Sequence, residues 1–172
     1  KNAFTNIQEA VAKVFNQGAT VYLAPETFQI TAQVVLNNRV TIKGTQTVSA
    51  ASTVAMAPGG TNRCFYVNHA SARLIGLVIT TGYALGDDKA GCGGGVFVAK
   101  SPTGSAWPDP VIESCRIVNC RASDSGGGIA FVDRGALWGT FVRDTMVSGN
   151  ITATNGGGIA TSSFLYLGNC TI

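Results

Sequence analysis

Charge is scarce in this chain of 172 residues: Asp, Glu, Lys and Arg together make up 12%, about half the usual share. The formal net charge is only +3 and no Lys/Arg cluster occurs, so there is no electrostatic footprint for nucleic acid. No hydrophobic run approaches the roughly 20 residues that cross a bilayer as a helix, and no transmembrane segment is expected. Histidine is nearly absent. The single one, His69, lies in Val67-Asn68-His69-Ala70-Ser71, which reads as a turn between strands and not as the seat of a general base. The five cysteines, Cys64, Cys92, Cys115, Cys120 and Cys170, are odd in number and fit neither a metal-site spacing nor a dense disulfide framework. Cys115 and Cys120 are the one pair placed to bridge a corner, and no bridge is assigned.

What the chain has in place of charge is apolar residues and glycine. Hydrophobic residues reach 45%, which excludes disorder. The 22 glycines are nearly double the roughly 7% expected, so their placement carries information. Near the start, Thr5-Asn6-Ile7-Gln8 has a Thr with Gln three positions later, a capping box. Ile7, Ala10, Val11 and Val14 follow at helical spacing, and Gly18 is a plausible stop. An amphipathic helix over 5–16 is expected, followed only by short β-prone runs: Thr20-Val21-Tyr22-Leu23, Phe28-Gln29-Ile30, Val34-Val35-Leu36 and Val40-Thr41-Ile42-Lys43. One helix before a series of short strands suits a solenoid whose first coil is covered by that helix.

The run Ile7-Gln8-Glu9-Ala10-Val11, then Gly18 to Phe28, then Val40-Thr41-Ile42-Lys43-Gly44 resembles the start of pectin-lyase-like β-helix proteins. That superfamily often opens with an amphipathic helix, a valine-rich strand with Ala-Pro-Gly-Thr-Tyr, and a first rung ending in Ile-Lys-Gly. Here Glu26 stands where Gly is common and Phe28 where Tyr is common. The resemblance implies a right-handed parallel β-helix.

From Leu74 onward the chain can be laid upon itself. The segment from Leu74 to Ile79 aligns with Ile112 to Ile117, Val142 to Val147 and Leu167 to Ile172. Side chains alternate in a strand, so Leu77, Cys115, Thr145 and Cys170 should form one inward ladder and Ile79, Ile117, Val147 and Ile172 another. Ile117 and Val147 precede Gly126-Gly127-Gly128-Ile129 and Gly156-Gly157-Gly158-Ile159 at the same spacing. In the earlier copy, Gly93-Gly94-Gly95-Val96 is delayed by an insert around Tyr83–Lys89, expected to bulge from one corner. The triplets define rungs of roughly 30 residues, a solenoid period. Glycine there tolerates positive φ and leaves nothing to collide with the stacked turn of the next rung. The β-prone residues after each triplet exclude a phosphate loop, which needs a helix. The expected architecture is therefore one domain over 1–172, all-β, with a capping helix over 5–16 and coils over 20–172.

The Gly-Gly-Gly-Ile units resemble the Gly-Gly-Ala-Ile units of chlamydial polymorphic membrane proteins and bacterial autotransporter passenger domains, with Cys120 and Asn150 each six residues before a triplet. The third triplet residue departs from that family, and its Phe-x-x-Asn motif is missing. The resemblance implies an extracellular or cell-surface location.

A pectin-lyase-like start implies a search for polysaccharide chemistry: acidic calcium ligands with a Lys or Arg base in lyases, or paired carboxylates in hydrolases. The acids are Glu9, Glu26, Asp87, Asp88, Asp109, Glu113, Asp124, Asp133 and Asp144. Asp87-Asp88-Lys89 in the insert is the most suggestive group, a candidate calcium or ligand site. The plainer reading, a solvated loop tip, is favoured. Glu113 and Arg143 occupy equivalent outward positions on successive rungs and should pair, with Arg116 and Asp144 nearby; exposed pairs of this kind need no function. Of the polygalacturonase-type pattern only Asp-Asp is present, without Gly-His-Gly or Arg-Ile-Lys. Ice binding needs a regular threonine row, which Thr80-Thr81, Thr152 and Thr154 do not supply. No cofactor is expected, calcium being the one candidate ion.

The sequence thus favours an extracellular structural, adhesive or display module, with carbohydrate or another protein surface as partner. The alternative is a piece of a carbohydrate-active enzyme acting on acidic polysaccharide. Ile172 falls on an inward position, so a covering by further chain or by self-association is expected at that end.

Overall fold

Four stacks of parallel strands wind through the computed structural model, which describes residues 6–14, 18–47, 49–99, 110–131, 139–162 and 164–172. The chain opens with helix α1 (Ile7–Lys13). The first coil carries β1 (Ala19–Tyr22), β2 (Thr27–Ile30) and β3 (Val34–Leu36), and the second β4 (Val40–Lys43), β5 (Ser52–Met56) and β6 (Phe65–Val67). The third adds a short extra strand: β7 (Arg73–Ile75), β8 (Leu77–Thr80), β9 (Tyr83–Ala84) and β10 (Val96–Val98). The fourth repeats that order as β11 (Val111–Glu113), β12 (Arg116–Val118), β13 (Arg121–Ala122) and β14 (Ile129–Phe131). The fifth does so again as β15 (Thr140–Arg143), β16 (Met146–Ser148), β17 (Ile151–Thr152) and β18 (Ile159–Thr161), and β19 (Leu165–Gly168) begins a sixth.

Each strand pairs with its equivalent one coil away. The first sheet runs β1-β4-β7-β11-β15-β19, the second β2-β5-β8-β12-β16, the third β3-β6-β10-β14-β18 and the fourth β9-β13-β17. This is an all-β, parallel, solenoid-like fold. Its core is a set of inward columns. Ile42, Leu74, Ile112 and Val142 align in the first sheet, Val54, Ile79, Ile117 and Val147 in the second, and Phe65, Val96 and Ile129 in the third. All eleven are buried, each side chain contributing about 1.5–3 kcal/mol by leaving water. The ladders expected from the self-alignment are these columns. Cys115 N–H donates to Thr145 Oγ1 across 30 residues, the rung length that the glycine triplets define.

The corners explain how such short strands can turn. Between the first and second sheets a residue with positive φ recurs in four coils: Gly76, Ser114, Asp144 and Asn169. Thr81, Asn119 and Gly149 do the same after the second sheet. The triplet corner divides its labour. Its first glycine has positive φ at Gly93, Gly126 and Gly156, whereas the second sits against the backbone of the next coil. A Cβ on Gly94 would lie 2.0 Å from the Arg121 carbonyl oxygen and one on Gly127 2.4 Å from that of Ile151.

Three expectations need correction. The helix spans Ile7–Lys13 and not 5–16; residues 5, 15 and 16 lie outside the described residues. Its N-cap is Asn6, whose side chain accepts from the N–H groups of Gln8 and Glu9. Gln8 closes no capping box, because its Oε1 accepts from Val35 N–H at 2.7 Å and so ties the helix to β3. The insert is also shorter than Tyr83–Lys89: Tyr83 and Ala84 are the rung itself, paired with Arg121 and Ala122. Finally, Cys115 and Cys120 form no bridge; all five cysteines are free.

Candidate functional site

The insert after β9 folds over the outer face of the third sheet. It contains a single 3-10 turn, Asp88–Gly91, with Asp87 as its N-cap. Two residues hold it down. Ser123 Oγ donates to Gly86 O at 2.6 Å and lies 3.1 Å from Gly86 N. Arg63 Nη2 donates to Lys89 O and Ala90 O, both at 2.7 Å.

Arg63 is buried under the insert at 6% exposure. Its guanidinium lies 4.5 Å from the centre of the Phe97 ring and 5.7 Å from that of Tyr66, a cation–π arrangement. The two rings stack at 5.6 Å. Burial lowers the Arg63 pKa, opposed by Cys92 and Tyr66. Phe97 therefore faces away from the solenoid interior, as the middle residue of β10 must, and is still only 1% exposed. With Cys92 and Ala130 it makes a second, small core outside the coil.

Beside this platform is a cleft of about 740 Å³ lined by Asp88, Cys92, Asp124, Ser125, Asn155 and Ser162 among others. Asp124 is its organiser. Its Oδ1 accepts from Ser125 Oγ at 3.1 Å and from Thr154 Oγ1 at 2.9 Å, and its main-chain oxygen accepts from the Thr152 and Thr154 hydroxyls. Cys92 Sγ donates to Asp88 O at 3.1 Å, and burial is the main cause of its raised pKa. Carboxylates, hydroxyls and an amide over the small residues Gly156 and Ala160 suit a ligand rich in hydroxyl groups.

Of the sequence candidates, Asp88 reaches this cleft; it is exposed and has a φ of 56°. Asp87 is exposed too. Among the described residues no group of three or more His, Cys, Asp or Glu side chains could hold a metal ion, so calcium has no preformed acidic cage at these two aspartates. Glu113 and Arg143 pair at 3.0 Å, and Arg73 joins the same Glu113 oxygen at 3.3 Å. Arg116 pairs in register with Met146 and not with this group, and Asp144 Oδ1 accepts from Asn169. His69 sits in a turn, its Nδ1 accepting from Ser71 N–H; burial, then Arg39, lowers its pKa. Asp109 and Asp133 lie outside the described residues.

The thiols carry no nucleophile. Burial pushes Cys115 up to about 12, and Cys64 is raised by its hydrogen bond with Cys120 and by burial. Sequence reasoning missed Arg63, Phe97, Cys92 and Asp124. A signal for part of the cleft was present: Cys92, Ser125 and Asn155 each stand immediately before a glycine triplet, and Ser125 pairs with Asn155. Comparison with protein-family models, with curated proteins and with solved structures found no match to this chain.

Proposed function

We propose that the chain is a right-handed parallel β-helix module, capped at its start by α1, with a structural, adhesive or display role in an extracellular or cell-surface setting. The observation that carries this reading is where the strand and corner carboxylates spend their hydrogen bonds. Glu113 is shared by two arginines, Asp124 by Ser125 and Thr154, and Asp144 is held by Asn169. Acids committed to stitching neighbouring coils suit a scaffold. The resemblance to pectin-lyase-like and autotransporter rungs supports the same reading, as does the contact of α1 with β3. The helix buries Ile7, Ala10 and Val11, which suits a cap over the first coil.

Leu167 and Ile172 are 49% and 63% exposed, although Val142 and Val147, which precede them in their columns, are buried. This favours a covering surface at the last coil, whether further chain or a second copy.

The cleft favours a second reading, a carbohydrate-active enzyme acting on acidic polysaccharide, because Asp88 and Asp124 both line it. Incubation of the chain with polyuronates and calcium separates the two. The module reading expects neither unsaturated ends nor new reducing ends; either product would overturn it.

A further inference from the structure

Resting on the module reading, we propose that the outer face of the first sheet is a binding surface for an anionic polysaccharide. Because Ile42, Leu74, Ile112 and Val142 point inward, their strand neighbours point outward. One outward column is Thr20, Thr41, Arg73, Val111, Phe141 and Tyr166. Beside it runs Tyr22, Lys43, Ile75, Glu113, Arg143 and Gly168. Six strands at about 4.8 Å make this face about 24 Å long, enough for several sugar units.

Its charge is unbalanced. Arg73 and Arg143 both donate to one oxygen, Glu113 Oε2, so two guanidiniums share a single carboxylate. Lys43, exposed on the same column, adds a further positive charge and joins no ion pair among the described residues. Arg73 Nε is buried without a partner. The face is also aromatic. Phe141 and Tyr166 stack with ring centres 4.9 Å apart and planes 14° from parallel, and Tyr166 is 55% and Tyr22 73% exposed. Gly139 leaves room for the Tyr166 ring, since a Cβ there would lie 2.7 Å from it.

These two properties select the ligand. Nucleic acid carries a charge every ~1.7 Å and is held by many cations, whereas the excess here is small and interleaved with rings. A polyuronate has one carboxylate per sugar for the arginines and lysine. Its pyranose rings present apolar C–H faces, which pack on exposed aromatic side chains.

The test is isothermal titration of the intact chain at low ionic strength with polygalacturonate, a neutral glucan and duplex DNA. Polygalacturonate should bind, and more weakly as salt rises, with the glucan and DNA weaker. Arg143→Gln and Tyr166→Ala should each reduce affinity about three- to fivefold, and Arg116→Gln, on the second sheet, should leave it unchanged. Glu113→Gln removes the competing internal anion and should strengthen binding by a similar factor, a gain that misfolding cannot imitate. No binding of polygalacturonate, tighter binding of DNA, or an unchanged affinity for Glu113→Gln would each overturn the proposal. A polyuronate left both unbound and uncleaved rejects this surface alone; cleavage rejects the module reading, while the titration still decides the surface.

Discussion

Gly94→Ala is expected to cost about 3 kcal/mol or more of stability, while Gly157→Ala costs about 1 kcal/mol or less. Both are the middle glycine of a triplet, so sequence alone treats them alike. The difference is what lies on top. A methyl on Gly94 would sit 2.0 Å from the Arg121 carbonyl oxygen and 2.6 Å from that of Gly127. Both are main-chain atoms of the next coil, locked in hydrogen bonds: Gly95 N–H to Gly128 O and Arg121 N–H to Gly82 O hold the two corners together. Backbone cannot step aside as a flexible side chain can, so the coils must separate. Gly157 has no coil stacked on it, and a methyl there meets only the Asn150 carbonyl oxygen, at 3.1 Å. Urea unfolding of the two variants measures the contrast. Equal losses at both sites would mean that the triplet is needed for its own conformation and not for stacking.

The second large effect is on the outside of the coil. Phe97→Ala should cost about 3–5 kcal/mol, the range for deleting a buried aromatic side chain, and should loosen the insert locally. Phe97 supports the Arg63 guanidinium, and Arg63 in turn holds Lys89 and Ala90. Removing the ring takes away the surface on which that cation is laid and leaves it buried beside a void. The expected signature is a lower urea midpoint together with faster amide exchange across 86–91, ahead of exchange in β12. A loss under about 1 kcal/mol with unchanged exchange would show that the insert holds itself in place.

The interior was legible because its signal is additive. Apolar residues recurring on alternate positions of short runs, repeated at a fixed rung length, place Leu74, Ile112 and Val142 in one column whichever copy is read first. The Glu113–Arg143 pair followed from the same register. The corners were less legible. Gly76, Asp144 and Asn169 are residue types that accept a left-handed conformation, but Ser114 and Thr81 occupy the equivalent kinds of position with side chains that disfavour it. Thr81 is held there by tertiary bonds, its Oγ1 donating to Met56 O or Thr80 O. The cleft was legible only at Asp88. Arg63 and Phe97 gave no local sign because the strand alternation assigns Phe97 to solvent; it is buried by an insert whose position depends on contacts with Arg63, distant in sequence. Asp124 was counted as an acid, yet its role is set by Thr154 in the next coil, 30 residues on.

The central claim is that successive coils stack in register, and one distance tests it. Thr20 and Tyr166 are far apart in sequence but stand on one outward column, separated by five strand spacings. Spin labels on cysteines replacing these two residues, in a chain with Cys170 changed to serine, should give a narrow distance distribution near 24 Å by pulsed electron resonance. A distribution centred beyond about 40 Å, or one too broad to assign a centre, would contradict the stacked solenoid and the sites built upon it.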